Sequence, residues 1–597
     1  MKQVSLVLCC SFIIALVLAG CDMGLTNTVQ PTPTAFSFVP LPLDIPSKAL
    51  NAPISGNVPD SQQLHVGITL KINQLELDQM SKNGIAKPGD ITSASDIAKK
   101  LGISEASYQQ FKQFFGVSGA NLSLSGTHTS MTLDIKASAL AQLLQTRFVL
   151  HRLNNRTFYT PDSAHMPRIP ALLANHILAV TGLDNYSLPP TPYFQVQPQP
   201  ARQSAGNKQT VQSSTSCDTG TAVNWKQLAH TYGYDQMWQK GWHGENMTIN
   251  LVEFEGVNPN DLRTYFACTG FKGSVDFITM GNAASFLPPS GEATLDIEMI
   301  AGLAPAAHIK VYQADSNTMM IDVLQRILDD NVTHPDLAST VSISWGGSED
   351  TMTSEVKAIN QRLQLLTEAQ HMTVYAASGD CGAFDDYIPG SLSVDYPASS
   401  PWAVSVGGTQ IVPNPISHNA SGEIAWTTGA TTITDGIPLS LLCHNEWGSG
   451  GGLSKFFKKP AWQQATGVNN QHSNGYRQLP DIAALAWNIP LFFQGKWQQP
   501  PSGGTSAATP IWAAGIALVN QGLLATKDLY AYGPDTFYFV QDHAGNLKPY
   551  YDEVVGFNGY YTANSGWDYV TGLGSPNLPA FYQVIYNNAS IGSLVRR

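Results

Sequence analysis

Beyond residue 220 the chain alternates between short apolar runs and longer amphipathic ones. The runs at 248–253, 309–312, 340–344, 374–377 and 404–406 are rich in Val, Ile and Ala, and their length suits buried strands. Between them, 318–328 and 355–369 carry apolar residues at helical spacing. That alternation predicts an α/β fold, a parallel sheet covered by helices on both faces. Ligands of such sheets bind where strands end, and Ser344 and Asp380 both fall there. Residues 41–195 read differently. Leu64, Val66, Ile68 and Leu70 alternate as a half-buried strand, followed by a helical stretch at 104–115 and strands near Leu122 and Met131, an α+β unit. The Pro-, Gln- and Ser-rich segment 188–216 has too little apolar content to pack. Exposed linkers are where nicking concentrates, so 196–220 is the expected processing linker and 221–590 the expected main domain.

The N-terminus carries an address. Lys2 precedes an apolar run over 4–18 and then Leu18-Ala19-Gly20-Cys21, which resembles a bacterial lipoprotein signal (1–20) with Cys21 lipidated after cleavage. Residues 21–40 would form a flexible tether holding the protein at the outer surface through that lipid alone. A plain secretory signal is the alternative, and both readings place the protein outside the cytoplasm.

With 597 residues, 43% of them hydrophobic, the chain is long enough for two or more domains. A net charge of -12 without Lys/Arg clusters argues against nucleic acid as a partner. Charged residues are only 13% of the chain, so few surface carboxylates would destabilise it on protonation, which suits work in acid. Of the seven cysteines, Cys9 and Cys10 leave with the signal and Cys21 is acylated, leaving Cys217, Cys268, Cys381 and Cys443. Export permits disulfides, but four cysteines allow three pairings. No pair has zinc-ligand spacing.

The strongest chemical signal is Gly504-Thr505-Ser506-Ala507-Ala508-Thr509-Pro510. It reads as a serine nucleophile on a tight turn feeding a helix, with the apolar run 511–518 buried beneath it. A serine hydroxyl needs a positioned acceptor. Gly126-Thr127-His128 lies in the wrong region to supply one, and His128 reads as an ordinary loop residue. The chain offers instead Glu292 and Asp296, four residues apart and so on one helix face.

Glu292, Asp296, Asp380 in Ala376-Ala377-Ser378-Gly379-Asp380, and Ser506 together resemble, in identity and order, the catalytic set of the sedolisin family of serine-carboxyl peptidases. Further shared stretches are 341–347, 394–398, 447–452, Gly566-Trp567-Asp568 and Thr571-Gly572, so the resemblance spans roughly 220–580. It implies a subtilisin-like core, which the alternation predicts independently. It also implies that 41–195 is an inhibitory, folding-assisting propeptide similar to a ferredoxin-like fold, and that the protein is a self-processing zymogen. In the implied mechanism Ser506 attacks the peptide carbonyl, Glu292 is the general base, and Asp296 orients it. Asp380, protonated, would line the oxyanion hole, because only the neutral carboxyl can donate to an oxyanion. Three acids in one cleft resist full ionisation, so activity is expected in acid and fades toward neutrality.

Substrate is expected to bind as an extended strand along Ser344, Trp345 and Gly346 and along Gly450–Gly452. Glu253 and Trp345 would extend the hydrogen-bond network of the acids, and Asp395 would tune a subsite. The C-terminal portion resembles the family's calcium loop. Asp552 and Asp568 would supply carboxylates, and Glu553, Asn564 and Gly566 backbone carbonyls, to one structural Ca2+. A monomeric endopeptidase acting on polypeptides is the expected activity. The alternatives are a tripeptide-releasing peptidase of the same family, an inactive peptidase-like binding lipoprotein, and a serine hydrolase using one of the 14 histidines.

Overall fold

In the computed structural model the described residues are 37–588, apart from 83, 154–155, 188–190, 193–216, 221–222, 282–286, 316–318, 331–338, 353, 386–390, 412–421, 429–446 and 499–501. The signal, Cys21, Cys443 and nearly all of the processing linker lie outside them. Phe38–Pro40, assigned to the tether from sequence, pairs antiparallel with Arg168–Pro170. The folded N-terminal unit therefore begins earlier than its apolar pattern suggested, because a three-residue strand is too short to show periodicity.

The main domain is built on an eight-stranded sheet. Its spatial order is Ser274–Thr279, His308–Gln313, Thr248–Glu253, Thr340–Ile343, Thr373–Ala377 and Val404–Ile411. These six pair in parallel. Ile482–Leu485 joins Val404–Ile411 in parallel and Glu423–Ala425 joins it antiparallel. The amphipathic runs form the helices Met320–Asp330 and Val356–Glu368. Ser274–Thr279 escaped the sequence reading because only half of its residues are apolar and the strand is an exposed edge.

Two helices differ from the amphipathic ones. Every residue of Glu292–Leu303 is buried, as is nearly all of Thr505–Lys527 up to Leu523. Thr505–Lys527 is long and apolar enough to cross a membrane, yet 89% of its most apolar window is inside the fold, so it is a core helix. A helix hydrophobic all round belongs in a core; there the two pack together, setting Ser506 beside Glu292 and Asp296.

The N-terminal domain holds a four-stranded antiparallel sheet, Ile177–Thr181, Gln63–Leu70, Ser130–Lys136 and Asn121–Leu124 in spatial order. In chain order this is fourth, first, third, second, the ferredoxin-like arrangement. The domain has its own core around Leu64, Val66, Ile68, Phe111 and Phe115. It docks on the two amphipathic helices of the main domain. Arg362 donates to Thr69 Oγ1 at 2.6 Å, Gln361 to the Leu70 carbonyl at 2.9 Å, and Ser130 to Gln325 at 2.8 Å. Ile85–Ala86 adds a strand pair with Tyr530–Ala531.

Cys217 and Cys268 form a disulfide, and Cys381 is disulfide-bonded as well. Spacing alone could not choose this pairing, since it depends on which loops the sheet brings together.

Candidate active site

Ser506 is the second residue of the helix Thr505–Lys527, and Pro510 lies four residues on. Proline has no N–H, so the Ser506 carbonyl loses its usual helical partner. That carbonyl faces Ser344 Oγ at 3.3 Å. Ser344 follows the strand Thr340–Ile343, and its hydroxyl donates to Asp296 Oδ2 at 2.7 Å. The Ser506 hydroxyl in turn donates to the Ser344 carbonyl at 3.5 Å. Ser344, expected at a substrate edge, is thus a hinge between nucleophile and acids.

The acids form a row that no cation joins among the described residues. Glu292 and Asp296 share a face of their helix, and Glu253 reaches them from the end of its strand. All three are buried. Trp345 Nε1 donates to Glu253 Oε2 at 2.9 Å. Burial and then the Asp296 charge raise the proton affinity of Glu253 well above the ordinary carboxyl range, while the Ser344 hydroxyl favours the charged form of Asp296. Burial nevertheless pushes Asp296 up to about 8. Glu292 is raised well above the ordinary range by burial, then by the charges of Asp296 and Glu253, while Ser506 favours its ionised form. Among the described residues neither Glu292 oxygen meets a partner at hydrogen-bond distance, although Ser506 stands next to it. A carboxylate so exposed to its neighbours' charge and so poorly solvated is a strong base next to a hydroxyl. Among the described residues no histidine is hydrogen-bonded to Ser506 or to these acids.

Asp380 approaches from the opposite side, three residues past the strand Thr373–Ala377. Its Oδ1 accepts from Thr505 N at 2.8 Å and Thr505 Oγ1 at 2.9 Å. Oδ2 is buried and unpartnered, and burial raises the group to about 8, with Asp385 adding to the rise. Both donors engage Oδ1, so the proton belongs on Oδ2. The loop is pinned from behind: Gly450 N–H donates to the Gly379 carbonyl at 2.8 Å, and Gly451 N–H to Gly382 at 3.2 Å. A Cβ at Gly450 would come within 1.9 Å of the Ser378 carbonyl, so only glycine fits. Gly450 and Gly451 therefore hold the Asp380 loop rather than offering an open edge.

Open main-chain pairing is seen instead at the strand that follows Ser344. Trp345–Ser348 pairs antiparallel with Asp395–Tyr396 on one side and with Thr191–Pro192, from the end of the N-terminal domain, on the other. Thr191 stands opposite Gly346 and Pro192 opposite Trp345. Asp395 is buried below this strand, and a Cβ on Gly346 would approach its Oδ1 to 2.6 Å.

At the C-terminal loop, Asp552 Oδ2 accepts from Gly566 N at 2.8 Å, and Asp568 Oδ2 from Asn564 N at 2.8 Å. Burial raises both acids, Asp568 to about 7, and the Asp552 charge adds to the rise at Asp568. Asp552 Oδ1 is buried without a partner. The Glu553 side chain turns inward, taking the Ser575 hydroxyl at 2.7 Å. No group of three or more His, Cys, Asp or Glu side chains able to hold a metal occurs among the described residues, so a cation here would rest on two carboxylates and backbone oxygens.

A parallel α/β sheet, a serine at the start of a core helix and acids at strand ends define a subtilase-type serine peptidase. Residues 280–531 match the profile of the Subtilase family, and residues 52–186 that of the pro-kumamolisin activation domain. The chain is 30% identical to kumamolisin from Bacillus sp. (strain MN-32) over 459 residues, 73% of this chain and 76% of that protein. It is 25% identical to sedolisin from Pseudomonas sp. (strain 101) over 558 residues, 88% of this chain and 87% of the relative. The solved structure of Pseudomonas sedolisin complexed with two molecules of pseudo-iodotyrostatin aligns at 26% identity and a TM-score of 0.49, covering 62% of this chain and all of that one. This protein belongs to the sedolisin family of serine peptidases and carries the family's activation domain at its N-terminus.

Proposed function

We propose that this protein is an acid-acting serine-carboxyl endopeptidase, exported as a zymogen and held at the outer surface through Cys21. The observation that carries the reading is the row Glu253, Asp296, Glu292 beside Ser506, with no cation against it among the described residues. Buried carboxyls without a counter-charge are costly unless protonated, and here their proton affinity is put to use. Glu292 takes the Ser506 proton as the hydroxyl attacks the peptide carbonyl, then returns it to the leaving amine. Asp296, held by the Ser344 hydroxyl, shares the helix face of Glu292 and orients and polarises it. Asp380 Oδ2, protonated below about pH 8, donates to the oxyanion.

Endopeptidase action is favoured over tripeptide release by the strand Thr191–Pro192. It is an internal segment lying along Trp345–Ser348, with chain continuing beyond Pro192. A cleft that accommodates the middle of a chain has no need of a free N-terminus. The same strand supports the N-terminal domain as an intramolecular inhibitor occupying the substrate's place.

Calcium is the proposed structural ion. Asp552 and Asp568 repel each other, and Asp552 Oδ1 lacks a partner; a hard divalent cation would satisfy both, with carbonyls of Glu553, Asn564 and Gly566 completing an oxygen shell. Its role would be to hold the loop, at a distance from the chemistry.

The test is self-processing. The chain without its signal is incubated at acid and neutral pH beside Ser506→Ala, and its mass is followed. Loss of about the first 200 residues, only in acid and only with Ser506 intact, is expected, since the cut falls in the exposed linker. Equal persistence of both proteins would sink the reading.

A further inference from the structure

The helix carrying Glu292 and Asp296 begins without a cap of its own. Its N-cap is Gly291, at φ +124°, which offers no side chain to the free N–H groups of the first turn. Glu255, two residues past the strand Thr248–Glu253, supplies what is missing. Its Oε1 accepts from Gly291 N and Ala293 N, both at 2.9 Å, and its Oε2 accepts from Ser290 N at 3.2 Å and from the Ser290 hydroxyl. The donors come from both sides of Glu292. Glu255 is itself held: its carbonyl accepts from Gln313 Nε2 at 2.6 Å, and Gly256 N–H reaches the Pro288 carbonyl at 3.3 Å. The residue is 4% exposed. Burial raises the proton affinity of its carboxyl above the ordinary range, and the backbone donors converging on it pull the other way, toward the anion.

We propose that Glu255 is a positioning residue of the peptidase reaction, an anionic cap from a neighbouring strand that fixes the backbone around Glu292 and sets the charge against which Glu292 titrates. The inference rests on Glu292 being the general base. Helix N-termini favour anions, so the first turn offsets part of the cost that burial places on the charged cap. The titratable groups around it are Glu253 from its own strand and Glu292 and Asp296 from the helix, and its charge raises the proton affinity of all three. Gln313, from the adjoining strand, carries no charge. Asp380, on the far side of Ser506, does not count Glu255 among the charges acting on it. Glu255 therefore bears on the acid limb of the pH profile, where the base must ionise, and leaves the alkaline limb to Asp380.

Glu255→Gln in the self-processed enzyme tests this, with kcat and KM measured on a peptide substrate from pH 2 to 9 and folding checked by circular dichroism. Losing the charge is expected to move the acid limb down by about 0.5–1 pH unit, to lower kcat by about tenfold through the disturbed cap, and to leave the alkaline limb in place. An acid limb identical to that of the parent enzyme would overturn the proposal. Should Glu255→Gln fail to fold, Ser290→Ala decides: it removes one donor and keeps the carboxyl, and is expected to lower kcat about twofold to fivefold with KM unchanged and the acid limb moved in the same direction. An unaltered profile there also overturns the role of Glu255. Glu292→Gln run in parallel separates the two levels, since activity surviving in it removes the underlying base assignment whatever Glu255 does.

Discussion

Two sets of fully buried acids sit in the same domain and have opposite surroundings. Asp481 is saturated: Arg477 grips it with both terminal nitrogens, at 2.8 and 2.5 Å, while Tyr538 donates at 2.7 Å and Ser405 N at 2.8 Å. Arg477 is further held by the Gln478 carbonyl and stacked over Trp462 at 4.9 Å. Among the described residues the row Glu253, Asp296, Glu292 has no cation, and each of its acids keeps an oxygen without a partner. Burial costs both sets the hydration of their charge. The first recovers it through a cation and dense hydrogen bonding, which makes a structural pin. The second recovers it by holding protons, which makes a site whose state changes with pH.

Removing Ser506 or Glu292 should have the largest effect on activity and almost none on folding. Ser506→Ala and Glu292→Gln are each expected to lower kcat by at least about 10³-fold, with thermal melting unchanged or raised, because Ser506→Ala removes only a long 3.5 Å hydrogen bond and Glu292→Gln removes an unsatisfied buried acid. Melting temperatures that fell sharply in both would erase the distinction between the two sets. Asp481→Ala should do the reverse. It strands a buried guanidinium, and is expected to destabilise by about 3–5 kcal/mol, read as a lower denaturant midpoint in the uncleavable Ser506→Ala chain.

The C-terminal loop is a third arrangement, acids expected to be balanced by a bound cation. Excess chelator should lower the melting temperature, by an amount corresponding to about 3 kcal/mol where free Ca2+ had stood at a hundred times its Kd. An unchanged melt would place Asp552 and Asp568 with the proton-holding acids instead. Asp380→Asn sharpens the contrast within the site: its amide keeps a donor at any pH, so activity in acid should fall by only about tenfold while the alkaline limb flattens. A limb that persists would show another group titrating.

The smallest effect is on stability with pH. Glu253, Glu292, Asp296 and Asp380 have raised proton affinities when folded, the last two reaching about 8. The folded state then binds more protons than the unfolded chain above the ordinary carboxyl range, so this stability is complete below about pH 4 and is lost as pH rises toward 8. His371, lowered to about 4 by burial, opposes this below pH 6.5. The melting temperature of Ser506→Ala should fall by several degrees, roughly, from pH 5 to pH 8; a rise over that range would contradict the proton-holding account.

Much of this was present in one-dimensional spacing. The alternation of apolar runs determined the parallel sheet, because a strand buried on both faces must be apolar throughout. Four-residue spacing put Glu292 and Asp296 on one helix face, and the turn at 504–510 marked Ser506. Local rules reach that far because they concern neighbours in the chain. Pro510, four residues after Ser506, was a local sign that the Ser506 carbonyl would need another partner, though not which. The partners themselves were decided by tertiary structure. Ser344, read as part of a substrate edge, joins Asp296 and Ser506 across separations of 48 and 162 residues. Gly450 and Gly451 brace the Asp380 loop, and Glu255 caps a helix that begins 37 residues later. Whether a buried acid is a pin like Asp481 or a proton holder like Glu292 depends on whether a cation from elsewhere in the chain arrives beside it, and only the packed fold brings those distant residues together.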